Sequence, residues 1–173
     1  NGGKTWGKLN SGYYESLYSV FFIDEDIGYV VTGNGIILKT TNGGASWELQ
    51  SAPETQTIID IDFVSTTKGF AVSSYYKALY YTENAGTNWV KYAGTLPYFY
   101  PYSIDFVDEN TGWMAGFVYK NSTYVGGIIR TNDGGTTWYT QTAENPDYLY
   151  HLVMVDINNG WAVGKAGEIQ RTA

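Results

Sequence analysis

An all-β fold made of repeated four-stranded antiparallel units is what this sequence predicts, and three observations carry the prediction. One short segment is written four times. It reads Lys39-Thr40-Thr41-Asn42-Gly43-Gly44-Ala45-Ser46-Trp47, then Tyr81-Thr82-Glu83-Asn84-Ala85-Gly86-Thr87-Asn88-Trp89, then Arg130-Thr131-Asn132-Asp133-Gly134-Gly135-Thr136-Thr137-Trp138. A fourth copy is divided between Arg171-Thr172-Ala173 at one end and Asn1-Gly2-Gly3-Lys4-Thr5-Trp6 at the other. The tryptophans Trp6, Trp47, Trp89 and Trp138 follow one another at intervals of 41, 42 and 49 residues. Finally, 17 Tyr, 6 Trp and 21 Gly suit short strands and tight turns better than helices.

Each copy has a physical task. Asn or Asp followed by Gly-Gly (Ala85-Gly86 in the second copy) is a turn signal, because Gly accepts positive φ and Asx side chains bond nearby amides. The Ser, Thr or Asn before the tryptophan can bond the same turn. Each tryptophan then opens the next strand and offers a ring whose burial is worth at most about 5 kcal/mol. A period of 40 to 50 residues built from short segments is that of a β-propeller with four strands, a to d, per blade.

The strands follow in order. Residues 17–24, 28–32, 36–40 and 47–50 form the first repeat, and 58–64, 69–73, 78–82 and 89–92 the second. The third takes 102–107, 112–117, 127–131 and 138–141, with its excess length at 119–125 extending a hairpin. The last takes 150–155, 160–164 and 168–172 and lacks a strand d of its own. One propeller region therefore covers 1–173, with repeats at 17–50, 58–92, 102–141 and 150–173, and residues 1–10 supply the strand d of the last blade. Such sharing hides sheet edges that would otherwise recruit other chains. Three arrangements satisfy it: a four-bladed ring closed within one chain, a homodimer exchanging end strands into an eight-bladed ring, or four blades of a longer propeller. Steep packing of twisted sheets ranks the four-bladed ring last.

The pattern Thr-x-Asp/Asn-Gly-Gly-x-Thr/Ser-Trp resembles the Asp-box, or sialidase-type BNR, repeat of β-propellers. The sequence around it is similar to photosystem II assembly-factor-like propellers, where an acid-ended strand and a Gly-aromatic strand precede each box. Here these are Phe22-Ile23-Asp24 with Gly28-Tyr29, Phe63-Val64-Ser65 with Gly69-Phe70, Phe106-Val107-Asp108 with Gly112-Trp113, and Met154-Val155-Asp156 with Gly160-Trp161. Ser65 and Ala85 depart from the pattern. The resemblance implies the fold, and box residues Asn1, Asn42, Asn84, Asp133, Trp6, Trp47, Trp89 and Trp138 in structural roles. For function it implies a wide range: hydrolases, receptors, assembly factors and adhesion modules.

Bulk properties narrow that range. A net charge of −7 and only two arginines argue against nucleic acid or an anionic membrane as the main partner. Zero Cys excludes a disulfide framework and a thiolate metal site. A sialidase site, as the family implies it, needs three arginines on one carboxylate, and Arg130 and Arg171 stand at equivalent positions beside two boxes. The acidic turns at Asp24, Asp108 and Asp156 lack the spacing of a calcium loop and recur as turn formers would, so neither metal nor cofactor is expected. No Ser/His/Asp spacing recommends the lone His151 as catalytic. A glycosidase needs two carboxylates across a cleft; Glu15, Glu54, Glu144, Asp147 and Glu168 on loops, and Asp60, Asp62 and Asp105 on inner strands, are the candidates.

What remains is aromatic. Tyr98, Phe99, Tyr100 and Tyr102 lie in one d–a connection, and Tyr13, Tyr14, Tyr75, Tyr76, Tyr119, Tyr124, Tyr148 and Tyr150 in d–a or b–c connections. These loops share one face, which suits packing on a protein or stacking on a glycan; filling gaps between blades is the competing use of the same rings. The reading is a non-catalytic binding or assembly scaffold, extracellular or on a cell surface, that uses this face. The alternative is a glycan-active segment of a larger propeller enzyme, and a third reading is an assembly factor holding a membrane-protein partner.

Overall fold

The structure, a computed structural model, describes residues 2–50, 56–73, 75, 77–93, 96, 98–120, 122–141 and 147–172. It is all-β: four antiparallel sheets, each formed by consecutive strands. Blade 1 holds β1 (Leu17–Phe22), β2 (Gly28–Thr32), β3 (Ile37–Thr40) and β4 (Glu48–Gln50). Blade 2 holds β5 (Asp60–Phe63), β6 (Gly69–Ser73), β7 (Ala78–Thr82) and β8 (Val90–Lys91). Blade 3 holds β9 (Phe99–Phe106), β10 (Gly112–Lys120), β11 (Thr123–Thr131) and β12 (Tyr139–Gln141). Blade 4 has three strands, β13 (Leu149–Met154), β14 (Gly160–Gly164) and β15 (Ile169–Arg171). Residues 2–16 contribute no strand, and Trp6 is 91% exposed.

The boxes close as the residues dictate. In the first, the amides of Gly44 and Asn42 donate to Thr40 Oγ1, and the amide of Ser46 donates to Asn42 Oδ1 at 2.9 Å. Thr82 with Asn84, and Thr131 with Asp133, repeat that geometry. The last residue of each strand c therefore organises the turn as much as the Asx does. Ala85 holds φ +57°, where the other copies have Gly43 and Gly134 at +64° and +69°. An L side chain is strained there.

Boxes and a–b turns share one face: the amides of Gly43, Ala85 and Gly134 donate to the carbonyls of Asp26, Thr67 and Asn110. In the a–b turns, Asp24, Ser65, Asp108 and Asp156 each accept two backbone amides. Connections on the opposite face bond one another. Gly33 donates to the Ser16 carbonyl, Thr57 Oγ1 donates to the Gly33 carbonyl, and Lys165 N donates to the Tyr148 carbonyl.

Between blades the core forms three seams with one design. The aromatic after the strand-b glycine stacks on the strand-a ring of the following blade. Tyr29 lies on Phe63 with centroids 4.0 Å apart, and Phe70 on Phe106 at 3.8 Å. In the third seam Trp113 joins Leu152, with Met154 packed beside them. Three of the four box tryptophans then meet their own blade's strand-a ring edge-on: Trp47 on Phe22, Trp89 on Phe63, Trp138 on Phe106.

Inner strands β1, β5, β9 and β13 lie at sheet edges, so their amides facing the axis lack ladder partners. Carboxylates answer them. Asp60 Oδ2 accepts the Ile104 amide at 2.9 Å, Asp62 Oδ2 accepts the Phe106 amide at 2.7 Å, and Asp105 Oδ2 accepts the Met154 amide. Each acid thus clasps its blade to the next.

Candidate functional site

The extended hairpin of blade 3 sets up the site. β10 and β11 pair from Gly112↔Thr131 out to Lys120↔Thr123, well beyond the other blades' strands. β9 follows β10 past a bulge between Ala115 and Gly116, pairing Phe117↔Tyr100 and Val118↔Phe99. At the bulge a Cβ on Gly116 would stand 2.0 Å from the Tyr100 carbonyl oxygen, so only glycine admits that approach. Residues 99–101, expected in a loop, are thereby strand, which aims Tyr100 and Tyr102 alike at the surface of one sheet.

A column of rings results. Tyr100 stacks on Phe117 with centroids 4.6 Å apart and planes 4° from parallel, and Phe117 stacks on Tyr148 at 4.9 Å. Lys77 Nζ caps one end, 4.3 Å from the Tyr100 centroid, and Lys165 Nζ caps the other, 5.5 Å from Tyr148. Tyr124 stands edge-on to all three rings, and Tyr119 leans on Tyr124 at 4.9 Å. Tyr102 bridges Phe117 and Tyr150. Its hydroxyl pKa is raised by burial first and by Tyr150 and Tyr148 second. Tyr98 is 78% exposed, with Lys77 also over its ring at 4.5 Å.

Of the residues read from the sequence, Tyr98, Tyr100, Tyr102, Tyr119 and Tyr124 come together here. Phe99 does not: it is buried between blades 2 and 3, as its alternation with Tyr98 and Tyr100 along β9 requires. Tyr13 and Tyr14 lie in the N-terminal segment and make no ring contact with the column among the described residues. Tyr75 is exposed on the β6–β7 connection. Tyr76 and Asn1, like Glu54 and Glu144, lie outside the described residues. Sequence reasoning passed over Phe117, Lys77 and Lys165. The signal available for Phe117 was its odd position in the extended hairpin, on the same face as Tyr119.

The three candidate acids on inner strands have other employment. Asp60, Asp62 and Asp105 are spent on inter-blade amides, and Asp60 also accepts Ser19 Oγ at 2.7 Å. Burial, and then the neighbouring Asp105 and Asp60, push Asp62 up to about 7 against the pull of the Phe106 amide. Burial likewise raises Asp105. At the boxes and turns the direction reverses: hydroxyl and amide donors of Thr137 lower Asp133, and the Asn110 and Asn158 amides lower Asp108 and Asp156. His151 is exposed, with Nδ1 3.1 Å from Ser103 Oγ. Arg130 and Arg171 lie over Trp113 and Trp161 at 4.9 and 5.4 Å, each on its own blade, so they do not converge.

Repeated Thr-x-Asx turns on four-stranded blades, with ring-on-ring seams, define an Asp-box β-propeller. Residues 2–93, more than half of the chain, match the family model described as photosynthesis system II assembly factor YCF48, and the chain belongs to that family. It is 30% identical over 143 residues to a photosystem II assembly lipoprotein Ycf48 of Prochlorococcus marinus, a match covering 80% of this chain and 40% of that protein. The chain thus spans about two fifths of the length of the curated relatives it matches. Among solved structures, "YCF48 bound to D1 peptide" superposes with TM-score 0.70 at 21% identity, covering 92% of this chain and 50% of that one. The computationally designed Ika4 protein superposes with TM-score 0.67 at 11% identity, covering 95% of this chain and 94% of that one. At these identities both show the fold alone.

These findings overturn the functional expectation. An extracellular scaffold and a glycan-active enzyme segment both give way, because the relatives are photosystem II assembly lipoproteins. The physical reason the sequence misled is that Asp-box blades are common to many activities, and a tyrosine-rich face suits sugar and protein alike.

Proposed function

We propose that this chain is a protein-binding part of an assembly-factor propeller, working at a membrane surface and holding a segment of a membrane-protein partner on the aromatic face of blade 3. Family membership supports the assembly role, and the name lipoprotein carried by the relatives supports the membrane surface. That a solved relative is titled as bound to D1 peptide supports a peptide as the ligand class.

The observation that carries the reading is the lysine-capped column. Three stacked rings fixed by a hairpin form a rigid, half-buried support at little further cost in side-chain entropy, while Tyr98, Tyr119 and Tyr124 around them stay exposed. Enrichment in rigid tyrosines is what protein-recognition surfaces show.

Fluorescence anisotropy of a labelled D1 peptide tests this. Saturable binding to the chain is expected, and Tyr124→Ala should weaken it about tenfold or more, the loss of one anchor residue. Binding that ignores both Tyr124→Ala and Tyr98→Ala would refute the face, and no binding of peptide at all would refute the function.

A further inference from the structure

We infer that Tyr119 and Tyr124 form an oxidation site on the extended hairpin, where a one-electron oxidant couples the two phenol rings into a dityrosine. No ligand on the aromatic face is needed for it.

The hairpin sets the geometry. Tyr119 on β10 and Tyr124 on β11 are directly opposed across the ladder, next to the last pair, Lys120↔Thr123. Side chains opposed in this way project from the same face of the sheet. The two rings meet with centroids 4.9 Å apart and planes tilted by 55°. That is contact distance for aromatic rings, so rotation of the side chains alone brings an ortho carbon of one phenol to its counterpart. Tyr119 is 52% exposed and Tyr124 47%. An oxidant in solution reaches both, and their phenolic protons can leave to water.

Other tyrosine pairs in the cluster are less favoured. Tyr124 stands 6.2 Å from Tyr100 and 6.3 Å from Tyr148, nearly perpendicular to each, and Tyr102 stands 5.8 Å from Tyr150. Tyr100, Tyr102 and Tyr148 are half-buried. Tyr102 also holds its proton more firmly, since burial and then Tyr150 and Tyr148 raise its hydroxyl pKa. Because Tyr100 and Tyr148 still pack on Tyr124, an electron hole formed on either has a short path outward to the exposed pair. Sulfur does not compete here: the chain has no cysteine, and the one methionine of blade 3, Met114, is fully buried.

The step balances with the oxidant alone. Each phenol gives one electron to the oxidant and its hydroxyl proton to water, leaving a phenoxyl radical. The two radicals join through ortho carbons, and the ortho hydrogens then move to the oxygens as the rings regain aromaticity. One carbon–carbon bond forms, two carbon–hydrogen bonds break, and the chain loses two electrons and two protons.

Trypsin makes the product readable, because it cuts after Lys120, between the two tyrosines. Residues 121–130 contain a single tyrosine, Tyr124. The folded chain is photo-oxidised with tris(bipyridine)ruthenium and persulfate, and the monomer band is digested for mass spectrometry. Expected are dityrosine fluorescence and fragment 92–120 joined to fragment 121–130, lighter than their sum by two hydrogens. Tyr119→Phe and Tyr124→Phe, which keep the ring and lose the phenol, should each abolish that adduct. Tyr139→Phe, at an exposed tyrosine of β12, should leave it unchanged. Unfolding in urea before illumination removes the ladder that opposes the rings, and the yield should fall several-fold. An adduct that survives Tyr119→Phe overturns the proposal, as does an equal yield in urea. Coupling found only in covalent dimers, or oxidised tryptophan without the adduct, overturns it as well.

Discussion

Blades 2 and 3 and blades 1 and 4 are written in the same repeat, yet they differ sharply in what they bury. Every residue of β5 and β6 is buried, whereas β1 has no buried residue and β14 alternates buried with exposed positions. The residues are not less apolar at the ends: Leu17, Val20 and Phe22 in β1, and Trp161 and Val163 in β14, are as hydrophobic as their counterparts. A blade has two faces and can cover neither by itself. Stability in such an array comes from neighbours, and the same side chain is core or surface according to whether a blade stands beside it.

Phe106 and Phe22 put the largest number on that contrast. Phe106 stacks on Phe70, meets Trp138 edge-on and presses on Gly112, where a Cβ would come within 2.5 Å of its ring. Phe106→Ala should cost about 3–5 kcal/mol in urea unfolding, while Phe22→Ala, which has the Trp47 and Gly28 contacts but no ring of a neighbouring blade stacked on it, should cost about 1–2 kcal/mol. Equal losses would erase the distinction between middle and end blades.

Acidity sharpens it from another side. The folded pKa of Asp62, about 7, lies above its unfolded value. The neutral acid is therefore favoured in the fold, and its contribution is complete below the unfolded pKa and lost as pH rises through 7. That loss is at most about 4 kcal/mol between pH 4 and 7. Asp133 has the opposite sign: its pKa is lowered, so its contribution holds above the unfolded pKa and falls away in acid. Urea midpoints across pH 3 to 8 should show a decline toward neutrality that Asp62→Asn flattens. An unchanged slope in that variant would mean the inner clasp titrates elsewhere.

The smallest effect lies within blade 2 itself. Ala85 takes the positive φ that its counterparts assign to glycine, and Ala85→Gly should raise stability by about 0.5–1 kcal/mol. A loss instead would show that the methyl group packs well enough to outweigh the strain.

The aromatic face and the seams differ in how readily residues reveal them. The box positions, the glycine-aromatic pairs and the extra length of the third repeat were legible, and so was the blade order. The column was half legible: Tyr98, Tyr100, Tyr102, Tyr119 and Tyr124 stood out by number, while Phe117 and both lysines did not, and Phe99 was read on the wrong side. Nothing in the tyrosine count told sugar from protein.

By itself the sequence determined what depends on a few adjacent residues: Asx-Gly turns, strand alternation, and a tryptophan at each return of the period. Those are local choices, made by φ preferences and by hydrogen bonds spanning four residues or fewer. Only the tertiary structure decided which rings are core and which are surface, because that depends on a blade some forty residues away. The bulge at Gly116 set the register that builds the column, and the inner strands' unpaired amides turned Asp60, Asp62 and Asp105 from candidate catalysts into clasps. Burial is a property of neighbours, and a sequence names neighbours only along the chain.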